Sequence, residues 1–263
     1  KGRLDCLKFA HSKGYPWPAT QMAQYAIVSG DLPTLQYVVE NGATLQRTLY
    51  NKAALLDAVD CVQYLHSKGL VFPADYISHA VGANAVRCLE FALQHGCTFA
   101  DNVLTSVKSV ECMKVLHNSG FQWTAVSAAL AAYNSVDILR FLHEHGCPWE
   151  EGLYITVIDT HTLTADGTPS IDCMVYAHEN GCPWDRHVSL HAVKVGNLTA
   201  VTYLLTQGCP FDTAHTGMAA MNGNYQMLVY LHSHGVPWNE LTTSNAANCN
   251  FLKCLKYACE NGC

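Results

Sequence analysis

Apolar positions recur along this chain in a fixed order that restarts about every 27 residues, each time closing on a glycine. Seven residues before that glycine stand Leu7, Leu35, Val62, Leu89, Met113, Leu139, Met174, Val201, Leu228 and Leu255, and five before it stand Phe9, Tyr37, Tyr64, Phe91, Val115, Phe141, Tyr176, Tyr203, Tyr230 and Tyr257. Ala10, Val38, Leu65, Ala92 and Leu116 follow directly in their repeats. At 100° per residue these offsets fill one arc of a helix, so the pattern predicts a helix with a single buried face. The closing glycines are Gly14, Gly42, Gly69, Gly96, Gly120, Gly146, Gly181, Gly208, Gly235 and Gly262, at spacings of 28, 27, 27, 24, 26, 35, 27, 27 and 27. Each is expected to stop its helix at C′, where a positive φ meets no Cβ. A period in this range across a whole chain means a stacked array, in which each unit buries its apolar face against its neighbours.

Three residues past the glycine comes a large apolar side chain, at Trp17, Leu45, Phe72, Phe99, Trp123, Trp149, Trp184, Phe211 and Trp238. A capping residue or a helix-starting proline then follows, as at Pro18, Pro73, Thr124, Asp185, Asp212 and Asn239, so a further helix is predicted to begin there. It carries Ala26, Ala53, Ala80, Ala192, Ala219 and Ala246 at one position, small enough for close helix approach, and four residues later Gly30, Asp57, Asn84, Gly196, Gly223 or Asn250. Those types tolerate the left-handed conformation of a tight turn. Each unit therefore reads as helix, turn, helix, glycine stop and a short Pro-aromatic link. Two intervals depart from the rhythm. The one between Gly96 and Gly120 is short and is expected to hold a short or distorted first helix, and the one between Gly146 and Gly181 carries an inserted polar loop at about 159–170.

With the unit defined, Gly30-Asp31-Leu32-Pro33-Thr34-Leu35-Gln36-Tyr37-Val38-Val39-Glu40-Asn41-Gly42-Ala43 resembles the second half of an ankyrin repeat, and Leu190-His191-Ala192-Val193-Lys194-Val195-Gly196-Asn197-Leu198 resembles its first helix. The family's unit is 33 residues long. The shortage here falls where ankyrin repeats place a β-hairpin finger, leaving links such as Gly-Cys-Pro-Trp. This short form is similar to ankyrin arrays of giant DNA viruses and unicellular eukaryotes. The resemblance implies an all-α, ankyrin-like solenoid of about nine to ten stacked helix-turn-helix units with much-reduced hairpin fingers, spanning 1–263 as a single array. Both ends fall within repeats, so the array is expected to be a monomeric part of a longer chain.

Composition narrows the function classes. Charged residues make up 14% of the chain and the formal net charge is −6, which gives no basic footprint and sets nucleic acid aside as a partner. No apolar run approaches the length of a membrane span, so no membrane partner is expected, and an odd number of cysteines, read as free buried thiols, implies an intracellular, cytoplasmic setting. Thirteen cysteines and fourteen histidines invite a metal or redox reading. Six of the cysteines, however, share the position eight before the glycine, and five share the position just after it. Equivalent positions in neighbouring units sit roughly 8–10 Å apart, whereas a disulfide needs Cα atoms within about 7 Å. Reduced thiols are expected. His11, His66, His117, His143, His178 and His232 all stand three before the glycine, where an imidazole at a helix C-terminus is expected to cap it. No phosphate loop, nucleophile elbow, HExxH or CxxC occurs, so neither catalysis nor a cofactor is expected.

The family resemblance implies that the first helices line a concave groove that binds another protein. Gln24, Asn51, Ser78, His79, Asn102, His191 and Asn245, five or six residues before the turn position, vary among fixed neighbours and are the candidate protein-binding surface. Two function classes stay open. One is a protein-protein interaction scaffold, the substrate-recruiting arm of a larger protein; the other is a Cys/His metal-binding or redox-responsive array.

Overall fold

The structure, a computed structural model, describes residues 2–99, 103–132, 135–159 and 170–263. Among these residues it is all helical, with eighteen α-helices, one 3₁₀ turn and no strand. The chain divides into two compact units, Lys1–Gln122 and Trp123–Cys263. The first contains α1 (Gly2–Ser12), α2 (Ala19–Val28), α3 (Leu32–Glu40), α4 (Thr48–Ala54), α5 (Val59–Ser67), α6 (Tyr76–Gly82), α7 (Val86–Gln94) and α8 (Val110–Asn118). The second contains α9 (Ala125–Ala132), α10 (Val136–Glu144), α11 (Gly152–Asp159), α12 (Asp172–Glu179), α13 (Arg186–Val195), α14 (Leu198–Thr206), α15 (Thr213–Met221), α16 (Tyr225–Ser233), α17 (Glu240–Asn248) and α18 (Leu252–Glu260).

Each unit is a two-layer stack. In the first, α2, α4 and α6 pack successively as one row while α1, α3, α5, α7 and α8 form the other. In the second, α9, α11, α13, α15 and α17 form the first-helix row, and α10 packs on α12 and α16 on α18. The seam between the rows is the core the periodicity predicts. Leu35, Val62, Leu89, Met113, Leu139, Met174, Val201 and Leu228 are all fully buried, and so are Ala53, Ala80, Ala192, Ala219 and Ala246. Burying one such Leu or Val contributes roughly 1.5–3 kcal/mol, which is why short helices of poor intrinsic stability persist here.

Helix ends follow from the residues that flank them. All ten repeat glycines have positive φ, from 73° at Gly14 to 98° at Gly42. At Gly181 the N–H donates to the His178 carbonyl at 3.1 Å and the next N–H, of Cys182, donates to Ala177 at 2.9 Å. This is the paired closure of a Schellman end, and it recurs at Gly42 and Gly235. The turn between helices is also left-handed, and Asp57, Asn84 and Asn250 hold φ values of 48°, 56° and 61° in place of glycine. Asp31, Asn197 and Asn224, directly after turn glycines, then cap the second helices by accepting from the N–H groups of Thr34, Ala200 and Met227. Asp185, Asp212 and Asn239 cap first helices in the same way.

In the short interval the place of a first helix is taken by the 3₁₀ turn Val103–Ser106, with Val103 and Leu104 buried against the stack. In the long one, α11 ends at Asp159 and the chain is described again from Ser170, so the inserted loop lies outside the described residues. No helix among the described residues is long and apolar enough to cross a membrane.

Candidate binding surface

Successive second helices are joined by a three-residue junction that repeats through both units. The imidazole three before the glycine stacks on the link ring six residues later, at centroid distances of 4.7 Å for His11 and Trp17, 4.0 Å for His143 and Trp149, 3.8 Å for His178 and Trp184, and 3.7 Å for His232 and Trp238. Its Nδ1 is hydrogen-bonded to a tyrosine hydroxyl of the following repeat: Tyr37 at 2.7 Å, Tyr176 at 3.1 Å, Tyr203 at 3.0 Å and Tyr257 at 2.9 Å, in the same order. These histidines therefore couple repeats, which corrects the capping role expected of them. Side-chain capping occurs two residues later. His95, His145 and His234 place Nδ1 2.7–2.8 Å from the carbonyls of Phe91, Phe141 and Tyr230, and Asn41, Asn180 and Asn261 donate to the matching carbonyls at 2.8 Å.

The junction leaves visible marks where one partner is absent. Val39 stands where the pattern has histidine, and the facing Tyr64 hydroxyl is buried without a hydrogen-bond partner; Phe91 stands where it has tyrosine, and the facing His66 Nδ1 is buried without one. The sequence carried this signal as a co-occurrence of His in one repeat with Tyr 25–33 residues later. Stacking register had to be known before it could be read as contact.

On the first helices, the residue five before the turn reaches back to the preceding repeat. Lys52 Nζ donates to Gln24 Oε1 at 2.9 Å, and Asn245 Nδ2 donates to the Gly217 carbonyl at 3.0 Å. His191 Nε2 lies 2.6 Å from Asp159 Oδ1. Gln24, Asn51, Ser78, His191 and Asn245 are half-buried, and the Asn51 Oδ1 is buried without a partner. His79 is exposed and turns back to Asp75, 3.0 Å from its carbonyl and 3.4 Å from its carboxylate. Asn102 lies outside the described residues. Five before the turn, counting both units, the side chains are Tyr25, Lys52, His79, His191, Met218 and Asn245. Tyr25 is the most open of them, 68% exposed.

Ser189, His215 and Asp212 have the composition of a nucleophilic triad, but the serine hydroxyl is engaged elsewhere. The His215 ring completes a capping box: the Asp212 N–H approaches its Nδ1 at 3.0 Å, Asp212 Oδ1 lies 3.0 Å from the same nitrogen, and Nε2 lies 2.9 Å from Ser189 Oγ. The Ser189 hydroxyl in turn donates to the Pro210 carbonyl at 2.6 Å. In a catalytic triad that hydroxyl would donate to the imidazole instead. Burial holds the His215 imidazole below its ordinary pKa, and Asp212 only partly opposes this. Its folded form is the neutral ring, so its contribution is present above about pH 6.5, where the unfolded histidine is also neutral, and is lost as pH falls through the lower folded value. Acidification from about pH 7 to 5 is therefore expected to destabilise the second unit, and His215→Gln to flatten that slope. Denaturant unfolding across pH checks this; equal slopes would contradict it.

No disulfide joins any of the thirteen cysteines. After the glycine, the thiols of Cys147, Cys182, Cys209 and Cys263 donate to the carbonyls of Thr124, Glu150, Asp185 and Asn239 at 3.1–3.5 Å, tying each link to the one before. Burial pushes Cys61, Cys97, Cys147 and Cys182 up to about 11, and Cys88 and Cys173 up to about 12. Among the described residues no three His, Cys, Asp or Glu side chains converge to hold a metal ion. Because the thiolate is the reactive form, iodoacetamide at mild alkaline pH should modify the exposed Cys6, Cys249 and Cys259 at least about tenfold faster than Cys88 or Cys173. Peptide mass spectrometry of a time course would show this, and uniform labelling would refute it.

The fold is that of a helical-repeat protein, built from helix-turn-helix units. No family model matches the chain, and no curated protein does. Among solved structures it is similar to the pentatricopeptide repeat protein PPR10 in complex with an 18-nt psaJ RNA element, at 11% identity and a TM-score of 0.42 over 94% of this chain and 42% of that one. It is also similar to a triple Cys-to-Ser variant of that protein with the same RNA element, at 10% identity and a TM-score of 0.30 over 96% of this chain and 54% of the other. The chain thus spans about half the length of these structures. The exclusion of nucleic acid is overturned by these RNA-bound helical repeats and is withdrawn. Its physical weakness is that net charge averages over the whole surface, while helical repeats can read bases through a few polar side chains per unit.

Proposed function

We propose that the chain is an ankyrin-type array that works as a protein-binding scaffold through the face of its first helices. One observation carries this reading. A single position, five before the turn, presents a phenol, an ammonium, two imidazoles, a thioether and an amide on the first helices α2, α4, α6, α13, α15 and α17, while the alanine beside it stays buried throughout. A fixed backbone with one variable, solvent-reachable side chain per unit is the arrangement by which a stack makes an extended recognition surface. The bonds from Lys52 to Gln24 and from Asn245 to the Gly217 carbonyl hold parts of that surface rigid, which lowers the entropy cost of docking.

The test compares the intact chain with a Tyr25→Ala, His79→Ala variant as bait, quantifying co-purified proteins and, after crosslinking, co-purified RNA. The expected result is a set of proteins whose recovery falls at least tenfold with the variant. RNA recovered in place of protein, or protein recovery unmoved by the variant, would overturn the reading.

A further inference from the structure

A cleft of about 340 Å³ opens in the first unit between two successive links, lined by His66, Phe72, Ile77, His95 and Cys97 together with other residues of the first link. It coincides with the histidine-bearing junction that departs most from the repeating pattern. At four other junctions an indole lies against the imidazole at 3.7–4.7 Å and a phenol hydroxyl is hydrogen-bonded to its Nδ1. At His66 the indole is replaced by the smaller Phe72, whose centroid stands off at 5.4 Å, and the phenol by Phe91, which has no hydroxyl to give. His66 Nδ1 is buried without a hydrogen-bond partner. Three rings share the walls with aliphatic side chains: His66, Phe72 and His95, the last meeting His66 edge-on at 4.8 Å. Apolar walls with a small number of unmet polar atoms are the make-up of a ligand pocket.

We infer that this cleft binds a single aromatic ring bearing a hydrogen-bond donor, of the phenol or indole class, which supplies the ring surface and the donor that the other junctions draw from their own chain. The ring has two sources, a free small aromatic or a Tyr or Trp side chain of a docked peptide. The inference is independent of the first-helix face and stands or falls separately from it.

The experiment titrates the intact chain by calorimetry with p-cresol, indole, toluene and end-capped Gly-Tyr-Gly and Gly-Trp-Gly peptides. Saturable binding of p-cresol or indole is expected, at least fivefold tighter than toluene, which has the ring without the donor. Phe72→Trp, which fills the cleft, should weaken indole at least tenfold, and Phe91→Tyr, which supplies the hydroxyl, should weaken p-cresol at least tenfold. Both variants restore the pattern of junctions that fold, and thermal melts confirm that they remain folded. Tighter binding of the capped peptides than of the free aromatics assigns the site to a docked side chain, and the reverse assigns it to a free ligand. Absence of saturable binding, toluene binding as well as p-cresol, or affinities unmoved by both variants would overturn the inference.

Discussion

Trp184→Ala is expected to destabilise the second unit by about 3 kcal/mol, near the lower end of the range for aromatic-to-alanine changes because the indole is half-buried rather than enclosed. The ring lies flat on His178 at 3.8 Å, and it meets Tyr154 at 5.6 Å and Tyr203 at 6.2 Å, so it bridges a first helix, a second helix and the next repeat. Its loss also leaves the hydrogen bond between His178 and Tyr203 without the wall that screens it from water. Trp184→Phe should cost only about 1 kcal/mol, since a ring of that size is accepted at Phe72 and Phe211. Urea unfolding monitored by far-UV circular dichroism measures both, and a Trp184→Ala loss below about 1 kcal/mol would show that the junction is not cohesive.

Gly223→Ala comes next, at about 2–3 kcal/mol, from two separable causes. With φ at +66° the residue is in the left-handed region, where a Cβ costs roughly 1 kcal/mol or more. A Cβ there would also lie 2.4 Å from two ring carbons of Phe251, which folds over the glycine from the following repeat. The ring is 37% exposed, so it can swing away, and the cost is then its lost packing. In a Phe251→Ala background the same substitution should therefore cost only about 1 kcal/mol, the conformational part alone. Gly30, with the same left-handed φ but nothing within 4 Å of its Cβ position, should accept asparagine almost freely, as Asn84 and Asn250 do at equivalent turns. Gly223→Asn should not be accepted. Equal costs at the two sites would remove the role assigned to Phe251.

These contrasts show which features could be read from residues alone. The helices, their glycine stops and the left-handed turns at Asp57, Asn84 and Asn250 were legible because each depends on a few neighbouring residues and on an arc of apolar positions. The junction histidines were misread as caps because a lone imidazole near a helix end has a local use, while its actual partner is a tyrosine of the next repeat. That pairing depends on how second helices stack, which no single repeat encodes. The same limit applies to the candidate surface. Variation at Gln24, His79 and Asn245 marked the positions, but the bonds from Lys52 and Asn245 to the preceding repeat follow only from the spacing of the stacked first helices. The charge balance misled for a related reason, since it is a property of the whole chain and recognition is a property of one face.

The claim on which the rest depends is that an imidazole in one repeat and a hydroxyl in the next hold the stack together as a matched pair. The most direct measurement is native-state hydrogen exchange in α5 and α7 for the parent chain, Phe91→Tyr, His66→Leu and the double variant. The matched-pair account predicts that Phe91→Tyr slows exchange in both helices by an amount equivalent to about 1 kcal/mol, since it supplies a donor to a buried, unpartnered Nδ1, and that this gain vanishes in the His66→Leu background. Unchanged or faster exchange in Phe91→Tyr, or a gain that persists without His66, would contradict it.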